Sequence, residues 1–318
     1  MREILFLTPV CMHNIWGGSR LREEFGYPVE GNDVGECWGI SAHPEGDGTV
    51  RSGIYEGKKL SEVWQSHPEF FGNLPYDRYP LLTKIIDAQD DLSIQVHPDD
   101  TYAMEKENGS LGKTECWYIM DCPEGASLVI GHNARTPEAL KTMVAEGKWK
   151  ELIRELPIRK GDFIQIDPGT VHAIKAHTLI LETQQNSAIT YRLYDYGRLQ
   201  NGKARELHID KSLDVITVPA KEIEDCMKST DNLPENTLNL MYACEKYNVF
   251  KLDVKEGMSF EQKYPFLAAS VLEGAGEVDG KVIRKGDHFI LSADYGSVEM
   301  TGDMSLILST VEVCADCS

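Results

Sequence analysis

Short runs in which hydrophobic and polar residues alternate dominate the chain, and turn residues separate most of these runs. Runs rich in Ile, Val, Thr, Tyr and Phe and bounded by Gly, Pro, Asp or Asn predict β-strands. In the first two thirds of the chain, the predicted strands cover residues 92–97, 115–120, 127–132, 162–167, 178–183 and 189–194. Towards the C-terminus they cover residues 238–245, 248–254, 266–274, 286–293 and 304–311. Short strands at this density favour a sandwich or a barrel.

Helices are predicted as a minority, and the strongest helical signal lies near residues 136–156. Thr136 is a typical N-cap residue, and Pro137 suits the first helical position. Apolar residues with helical spacing lie on both sides of Gly147, which predicts two short helices. The second apolar set consists of Trp149, Leu152, Ile153 and Leu156. Weaker helices are predicted near residues 58–67, 100–107 and 209–216.

A polar, charged segment bounded by prolines, residues 219–237, is typical of a linker. It divides the chain into a predicted first domain over residues 1–220 and a smaller β domain over residues 238–318. This division agrees with the length of 318 residues, since a domain commonly has about 100–200 residues.

A faint internal repeat relates the two predicted domains. The dipeptide Gly-Asp precedes a strand and a turn at residues 161–162 and again at residues 286–287. This pattern recurs in jelly-roll barrels of the cupin type, so the predicted fold is mainly β, with two such barrels and short helical insertions. Only the first copy continues into Pro-Gly-x-x-His, at residues 168–172. We therefore expect the second domain to be free of metal.

Charge and cysteine content narrow the classes of function. The chain has 51 acidic and 32 basic residues and a net charge of −19, which disfavours nucleic acid and anionic lipid as partners. No run of 18 apolar residues and no signal peptide is recognised, so we expect no membrane span. The eight cysteines are scattered, and their one C-x-x-C pair is Cys314 and Cys317. We expect free thiols and a cytoplasmic location.

Four polar residues in strand-and-turn contexts form a candidate metal site. Gln95 and His97 lie on one face of a predicted strand, because side chains alternate between faces. Glu115 begins another predicted strand, and His172 follows a Pro-Gly turn. Two imidazoles, a carboxylate and an amide suit Zn²⁺, although other divalent first-row metals fit the same ligands. Each residue alone is more typical of a surface or hydrogen-bonded side chain, so the prediction depends on their conjunction.

Two cationic residues accompany this set. Lys113 lies two residues before Glu115, which is compatible with a plain salt bridge. Arg192 lies on a predicted strand, where a buried cation needs an anionic partner. That partner is either a protein carboxylate such as Asp195 or Glu115, or else an anionic substrate or a developing oxyanion.

Several joined motifs resemble those of type I phosphomannose isomerases. The motifs are IWGGSRL (15–21), GECWGIS (35–41), LSIQVHPDD (92–100), GKTECWYIM (112–120), PGTVHAI (168–174) and ETQQNSAITYRLYDYGR (182–198). They extend from near the N-terminus to about residue 200, and the domain order continues to the end of the chain. The length is similar to that of the compact bacterial form, which lacks the large helical insertion of longer members.

The resemblance implies a cupin fold and a zinc-dependent aldose–ketose isomerase with one zinc ion per chain. Its substrates would be mannose 6-phosphate and fructose 6-phosphate, interconverted through an enediol or enediolate. The resemblance places the zinc ligands at Gln95, His97, Glu115 and His172. It also places the active-site cations at Arg192 and Lys113. One position departs from the family pattern, since members commonly carry Asp where this chain has Ala188.

Two other functions are compatible with the same residues. A catalytically weakened cupin that binds sugar phosphates, as a sensor or interaction module, is favoured by Ala188 alone. A metal-dependent oxygenase is compatible with two histidines and a carboxylate, but Gln95 and the long motifs argue against it. The proton-transferring base is unassigned, and the candidates are a metal-bound hydroxide, a histidine, neutral Lys113 or another carboxylate. A metal with a purely structural role is a further alternative.

Overall fold

The computed structural model describes residues 2–311. Strands make up 43% of the chain and helices 14%, which confirms the mainly β prediction. The first strands are β1 (Ile4–Thr8), β2 (Val10–Gly18), β3 (Val34–Ile40), β4 (Thr49–Val50), β5 (Leu81–Ala88), β6 (Ile94–Val96), β7 (Glu115–Asp121), β8 (Ser127–His132), β9 (Ile153–Pro157), β10 (Asp162–Ile166) and β11 (His172–Ala173). The remaining strands are β12 (Thr178–Gln185), β13 (Tyr191–Tyr194), β14 (Leu199–Gln200), β15 (Lys203–Ala204), β16 (Met227–Ser229), β17 (Asn239–Ala243), β18 (Asn248–Gln262), β19 (Leu267–Val278), β20 (Lys281–Arg284), β21 (His288–Leu291) and β22 (Gly296–Thr310).

Helices in the described part are short. They are α1 (Arg20–Glu23), α2 (Leu60–Ser66), α3 (Asp100–Lys106), α4 (Pro137–Ala145), α5 (Trp149–Leu152) and α6 (Ile209–Val215), with 3₁₀ helices at Pro68–Phe71 and Ile223–Asp225. Among residues 2–311, no helix has both the length and the apolar character needed to cross a membrane. Cys314 and Cys317 lie outside the described residues.

Two antiparallel sheets face each other in the unit that carries the candidate site. The larger sheet has the strand order β16-β10-β7-β12-β5-β2-β3, and the smaller has the order β13-β6-β11-β8-β9. Apolar side chains of both sheets, such as Trp117 and Ile180 from one and Ile130 from the other, form a common core between them. The sheets stay open at their edges, so this unit is a sandwich of two facing sheets.

A third, eight-stranded sheet forms most of the C-terminal half, in the order β17-β18-β22-β19-β21-β1-β4, with β20 paired to β19. Its strands β1 and β4 come from the N-terminal end of the chain, and β1 pairs with β21. Strand β1 is apolar on both faces, because Ile4 and Phe6 pack in one core and Leu5 and Leu7 in another. Such a strand belongs inside a structure, between two packed layers. The predicted boundary at about residue 220 stays a prediction, and this sheet draws strands from both sides of it.

Most of the predicted helices are confirmed. The side chain of Thr136 accepts a hydrogen bond from the backbone N–H of Ala139 and caps α4 as expected. Helices α2, α3 and α6 lie where the weaker signals predicted them.

Two predictions about local structure were wrong. Residues 153–156 show helical spacing but form strand β9, because Leu156 pairs with Leu128 of β8 and the sheet contact overrides the local pattern. The predicted linker over residues 219–237 contains a 3₁₀ helix and strand β16, which pairs with β10 at the edge of the larger sheet. Its polar composition matches that exposed edge.

Candidate metal centre and cleft

Strand register places the predicted site residues side by side. In the smaller sheet, Gln95 lies directly opposite His172 on β11 and directly opposite Arg192 on β13. Directly paired residues of antiparallel strands point to the same face, so these three side chains form one row. His97 follows the end of β6 and continues the alternation that began at Gln95. Glu115 comes from the facing sheet, as the first residue of β7.

A glycine turn brings His172 to this row. Gly169 has φ +81°, and its N–H donates to the carbonyl of His97. A Cβ atom at this position would lie 2.4 Å from Oγ1 of Thr217 and 2.7 Å from the carbonyl oxygen of Val215. The turn therefore requires glycine, both for its backbone conformation and for this close approach.

Two imidazoles and a carboxylate converge at the centre of the row. The Nε2 atoms of His97 and His172 are 3.2 Å apart. Glu115 approaches both, with Oε2 at 3.4 Å from Nε2 of His97 and Oε1 at 3.3 Å from Nε2 of His172. The amide nitrogen of Gln95 lies 3.3 Å from Nε2 of His172, and a 180° rotation of the amide presents its oxygen instead. The three charged or titratable groups are fully buried.

Backbone carbonyls fix the tautomer of both histidines. Nδ1 of His97 donates to the carbonyl of Ile189 at 2.8 Å, and Nδ1 of His172 donates to that of Thr170 at 2.9 Å. Burial lowers the pKa of both imidazoles, that of His97 to about 3 with a contribution from Lys113, so both are neutral at pH 7. Their Nε2 lone pairs therefore point inwards, next to a carboxylate whose Oε1 accepts no hydrogen bond. Metal-binding histidines are typically oriented in this way.

Lys113 lies at the edge of this group as a buried ammonium. Its Nζ is 2.5 Å from Oε2 of Glu115 and 3.3 Å from Nε2 of His97. Burial would lower its pKa, but Glu115 and Glu182 outweigh burial and raise it. Burial would likewise raise the pKa of Glu115, but Lys113 and the two imidazoles hold it well below the usual range. This charge state argues against neutral Lys113 as the base.

A second buried ion pair, formed by Lys84 and Glu182, was not predicted from the sequence. Lys84 on β5 lies directly opposite Glu182 on β12, with Nζ 3.5 Å from Oε1. Nε1 of Trp117 donates to Oε2 of Glu182 at 2.9 Å, whereas Oε1 accepts no hydrogen bond. Burial and the charge of Glu115 raise the pKa of Glu182. The available signal was a charged residue next to hydrophobic residues on each strand, Lys84 in LLTKII and Glu182 in LILE, since a buried charge needs a partner or a function.

Gln95, Lys113, Lys84 and Glu182 line a cleft of about 500 Å³, and His97, Glu115 and His172 lie behind its wall. Its charged and polar lining includes Glu36, Glu45, Lys84, Ser93, Gln95, Lys113, Glu182, Thr190, Arg192 and Arg205. Trp16 and Trp38 contribute apolar walls, and Ala188 lines the same cleft. The position at which the resemblance implies an Asp therefore faces this space.

Arg192 has no carboxylate partner among the described residues. Its Nη1 donates to the carbonyl of Glu206 at 2.9 Å, and its buried Nε has no hydrogen-bond acceptor. Asp195, one predicted partner, binds Arg198 and Arg205 instead. Burial and the charge of Arg205 lower the pKa of Arg192. The alternative of a protein carboxylate is therefore wrong for this arginine, and an anion from outside the chain is favoured.

Comparison with known proteins shows which protein family this chain resembles in sequence. A family model described as phosphomannose isomerase type I, catalytic domain, matches residues 4–119, and one described as mannose-6-phosphate isomerase, cupin domain, matches residues 236–311. The mannose-6-phosphate isomerase ManA of Bacillus subtilis is 45% identical over 321 residues, covering 96% of this chain and 98% of that protein.

Solved structures agree with these matches. The crystal structure of mannose 6-phosphate isomerase from Bacillus subtilis has a TM-score of 0.91 at 45% identity and covers 98% of this chain and 100% of that one. A zinc-bound mannose 6-phosphate isomerase has a TM-score of 0.78 at 14% identity, covering 98% and 100% of the two chains. At 14% identity, the similarity between this chain and the zinc-bound structure shows that the two share a fold.

Proposed function

The chain belongs to the type I phosphomannose isomerase family, and we propose that it interconverts mannose 6-phosphate and fructose 6-phosphate in the cleft beside Gln95. The observation that carries this assignment is the convergence of two neutral imidazoles and a buried carboxylate, with separations of 3.2–3.4 Å. They lie directly behind Gln95 and Lys113, which line the cleft and contact them. The cleft itself is large enough for a small phosphorylated sugar.

The donor set fits a zinc ion. Neutral imidazole nitrogens and carboxylate oxygens are typical zinc ligands. Oε1 of Glu115 accepts no hydrogen bond, and a cation would provide its partner. We assign Gln95, His97, Glu115 and His172 as the residues that hold one ion per chain. When bound, the ion supplies polarisation of the substrate's carbonyl and hydroxyl oxygens.

Proton transfer is assigned to Glu182. The reaction moves a proton between C2 and C1, so it needs a group that can accept and then return one. Oε1 of Glu182 accepts no hydrogen bond, and this residue lines the cleft, while Trp117 fixes the orientation of the carboxyl group through Oε2. A pKa above the usual range favours this role, because a base is most effective near the working pH.

The lysines stabilise the charge that develops. As C2 loses its proton, negative charge accumulates on the oxygens of C1 and C2 in the enediolate. Nζ of Lys84 and Nζ of Lys113 lie 3.5 and 3.7 Å from Oε1 of Glu182, so two ammonium groups surround the proposed base. Fixed cations in a site of low dielectric stabilise such an oxyanion better than water does.

An isomerisation assay tests the proposal directly. Metal-loaded protein should form fructose 6-phosphate from mannose 6-phosphate, a chelator should abolish turnover, and added Zn²⁺ should restore it. Binding of mannose 6-phosphate without turnover would instead support the weakened sugar-phosphate-binding cupin. The lining position of Ala188 favours that second function, although Glu36 and Glu182 still provide carboxylates at the cleft.

We also propose a cytoplasmic location. The six cysteines in the described part of the chain, Cys11, Cys37, Cys116, Cys122, Cys226 and Cys244, are free thiols. Scattered free thiols are typical of proteins in a reducing compartment. Fractionation of cells into cytoplasmic and extracellular material, followed by detection of the protein, tests the location.

A further inference from the structure

We propose that Arg205 binds the phosphoryl group of the substrate together with Arg192, and that this pair makes the enzyme select phosphorylated sugars. The inference rests on the proposed function, because it names a subsite of the same cleft. Arg205 carries none of the roles assigned above, and it lies outside the regular strands, directly after the hairpin β14–β15.

Asp195 holds Arg205 in a fixed orientation. Nε of Arg205 donates to Oδ2 of Asp195 at 2.8 Å, and Nη2 donates to Oδ1 at 2.6 Å. This bidentate contact fixes the plane of the guanidinium and leaves Nη1 to a ligand. Both Arg205 and Arg192 line the cleft, whereas Asp195 is 4% exposed and does not.

Charge at this end of the cleft is incompletely balanced. Asp195 also pairs with Arg198, so a single carboxylate neutralises two guanidinium groups. Arg192 adds a third guanidinium, and its buried Nε has no acceptor. No carboxylate among the described side chains forms an ion pair with it. A partly buried cation without a counterion is costly, and an anion between Arg192 and Arg205 removes that cost.

A phosphoryl group matches this arrangement better than sugar hydroxyls do. It is dianionic or nearly so at pH 7 and offers three acceptor oxygens to planar guanidinium donors. Neutral hydroxyls could not offset the repulsion between two guanidiniums, which contributes to the lowered pKa of Arg192. On a chain with net charge −19, the two guanidiniums of Arg192 and Arg205 provide a local positive charge in the cleft that attracts the anion.

The test compares Arg205→Gln with Arg198→Gln in the metal-loaded full chain. Both variants remove a guanidinium from Asp195, but only Arg205 lines the cleft. For Arg205→Gln we expect KM for mannose 6-phosphate to rise about 10- to 100-fold with kcat little changed, as for loss of a charged hydrogen bond. Inhibition by inorganic phosphate should weaken by a similar factor. Arg198→Gln should leave both constants within about 3-fold of wild type.

A second variant keeps the test decisive if Arg205→Gln does not fold. Arg205→Lys retains the charge but loses the planar fork, so it should show an intermediate rise in KM and in the phosphate inhibition constant. Unchanged phosphate inhibition in either Arg205 variant would overturn the subsite, as would an equal rise of KM in Arg198→Gln.

Phosphate binding also separates this inference from the proposed function. The melting temperature of the wild-type protein should rise with inorganic phosphate, and that of Arg205→Lys should rise less. If the wild-type protein binds phosphate through Arg205 but forms no fructose 6-phosphate, the isomerase proposal fails and the subsite stands. If it isomerises the sugar but binds phosphate independently of Arg205, the subsite alone fails.

Discussion

Lys84 and Glu182 meet across neighbouring strands in the interior of the sheet, with 3.5 Å between Nζ and Oε1. The carboxylate lies between two lysines, since Nζ of Lys113 is 3.7 Å from the same oxygen. Buried ion pairs contribute little net stability, because desolvation of the charges offsets their attraction. This buried charged cluster is therefore better explained by its position at the cleft than by a structural role.

Removing the charge of Glu182 should impair the chemical step. We expect Glu182→Gln to lower kcat about 10²–10⁴-fold, the usual contribution of a general acid or base, with a smaller change in KM. Steady-state kinetics with mannose 6-phosphate measures both constants. Asp162→Asn is a matched control, because Asp162 is a buried carboxylate on β10 that does not line the cleft. Wild-type kcat in Glu182→Gln would rule out this carboxylate as the base.

The position of Lys84 and Glu182 also explains what sequence reasoning missed. Hydrophobic periodicity is local, so it predicted β8 over the same residues that the structure assigns to it. It cannot show that one charged residue on β5 lies opposite another on β12, because only strand register brings them together. The pairing of Leu156 with Leu128 is equally non-local, and it made the helical interpretation of residues 153–156 wrong.

The side chains proposed as metal ligands were easier to find in the sequence. Gln95 and His97 lie two residues apart on one strand face, and the family motifs include Glu115 and His172. The structure brings the four together, although nothing local connects the two sheets that carry them. Strand β1 was not predicted, because its continuous apolar run lacks the alternation of a half-buried strand.

Loss of either histidine ligand should remove the metal. We expect metal analysis of the purified wild-type protein to give about one equivalent of zinc, and His97→Ala and His172→Ala to lose most of it. The cause is the loss of one inward-pointing Nε2 from a set of few ligands. Circular dichroism should confirm that the variants remain folded.

His288 provides the matched control for metal content. It is fully buried in the C-terminal sheet, but its ring nitrogens contact Oγ of Ser270 at 2.8 Å and Oη of Tyr27 at 2.9 Å. His288→Asn should lower stability and leave the zinc content at about one equivalent. Zinc retained in full by both ligand variants, or lost in His288→Asn, would show that the site has been placed wrongly.

Arg192 should affect substrate binding more than turnover. If it holds the phosphoryl group with Arg205, Arg192→Ala should raise KM about 10- to 100-fold while kcat falls less. Arg192→Lys keeps the positive charge but loses the planar guanidinium, so its kinetic constants should differ from those of the wild type. Equal decreases in kcat and kcat/KM would instead show that the arginine acts mainly in the transition state. Wild-type constants in a folded, metal-loaded variant would make Arg192 a structural residue.

Asp195 should make stability depend on pH in the acid range. Burial raises its pKa, but Arg205 and Arg198 outweigh burial and lower it below the ordinary 3.8. Near that pH the unfolded chain therefore binds more protons at this site than the folded chain, so stability rises with pH. The contribution is fully present above pH about 3.8 and is lost as pH falls through the lower, folded pKa.

The comparison of wild type with Asp195→Asn isolates that contribution. Urea unfolding at pH 7 should show the variant less stable by about 1–3 kcal/mol, as for the loss of charged hydrogen bonds. The difference should shrink as the pH is lowered stepwise below 3.8, because protonation of the wild-type carboxyl removes the same charge. Fluorescence-monitored unfolding curves at each pH give the two free energies of unfolding. A difference that stays constant down to the acid limit of folding would mean that Asp195 stabilises the hairpin by shape and neutral hydrogen bonds, and not by its charge.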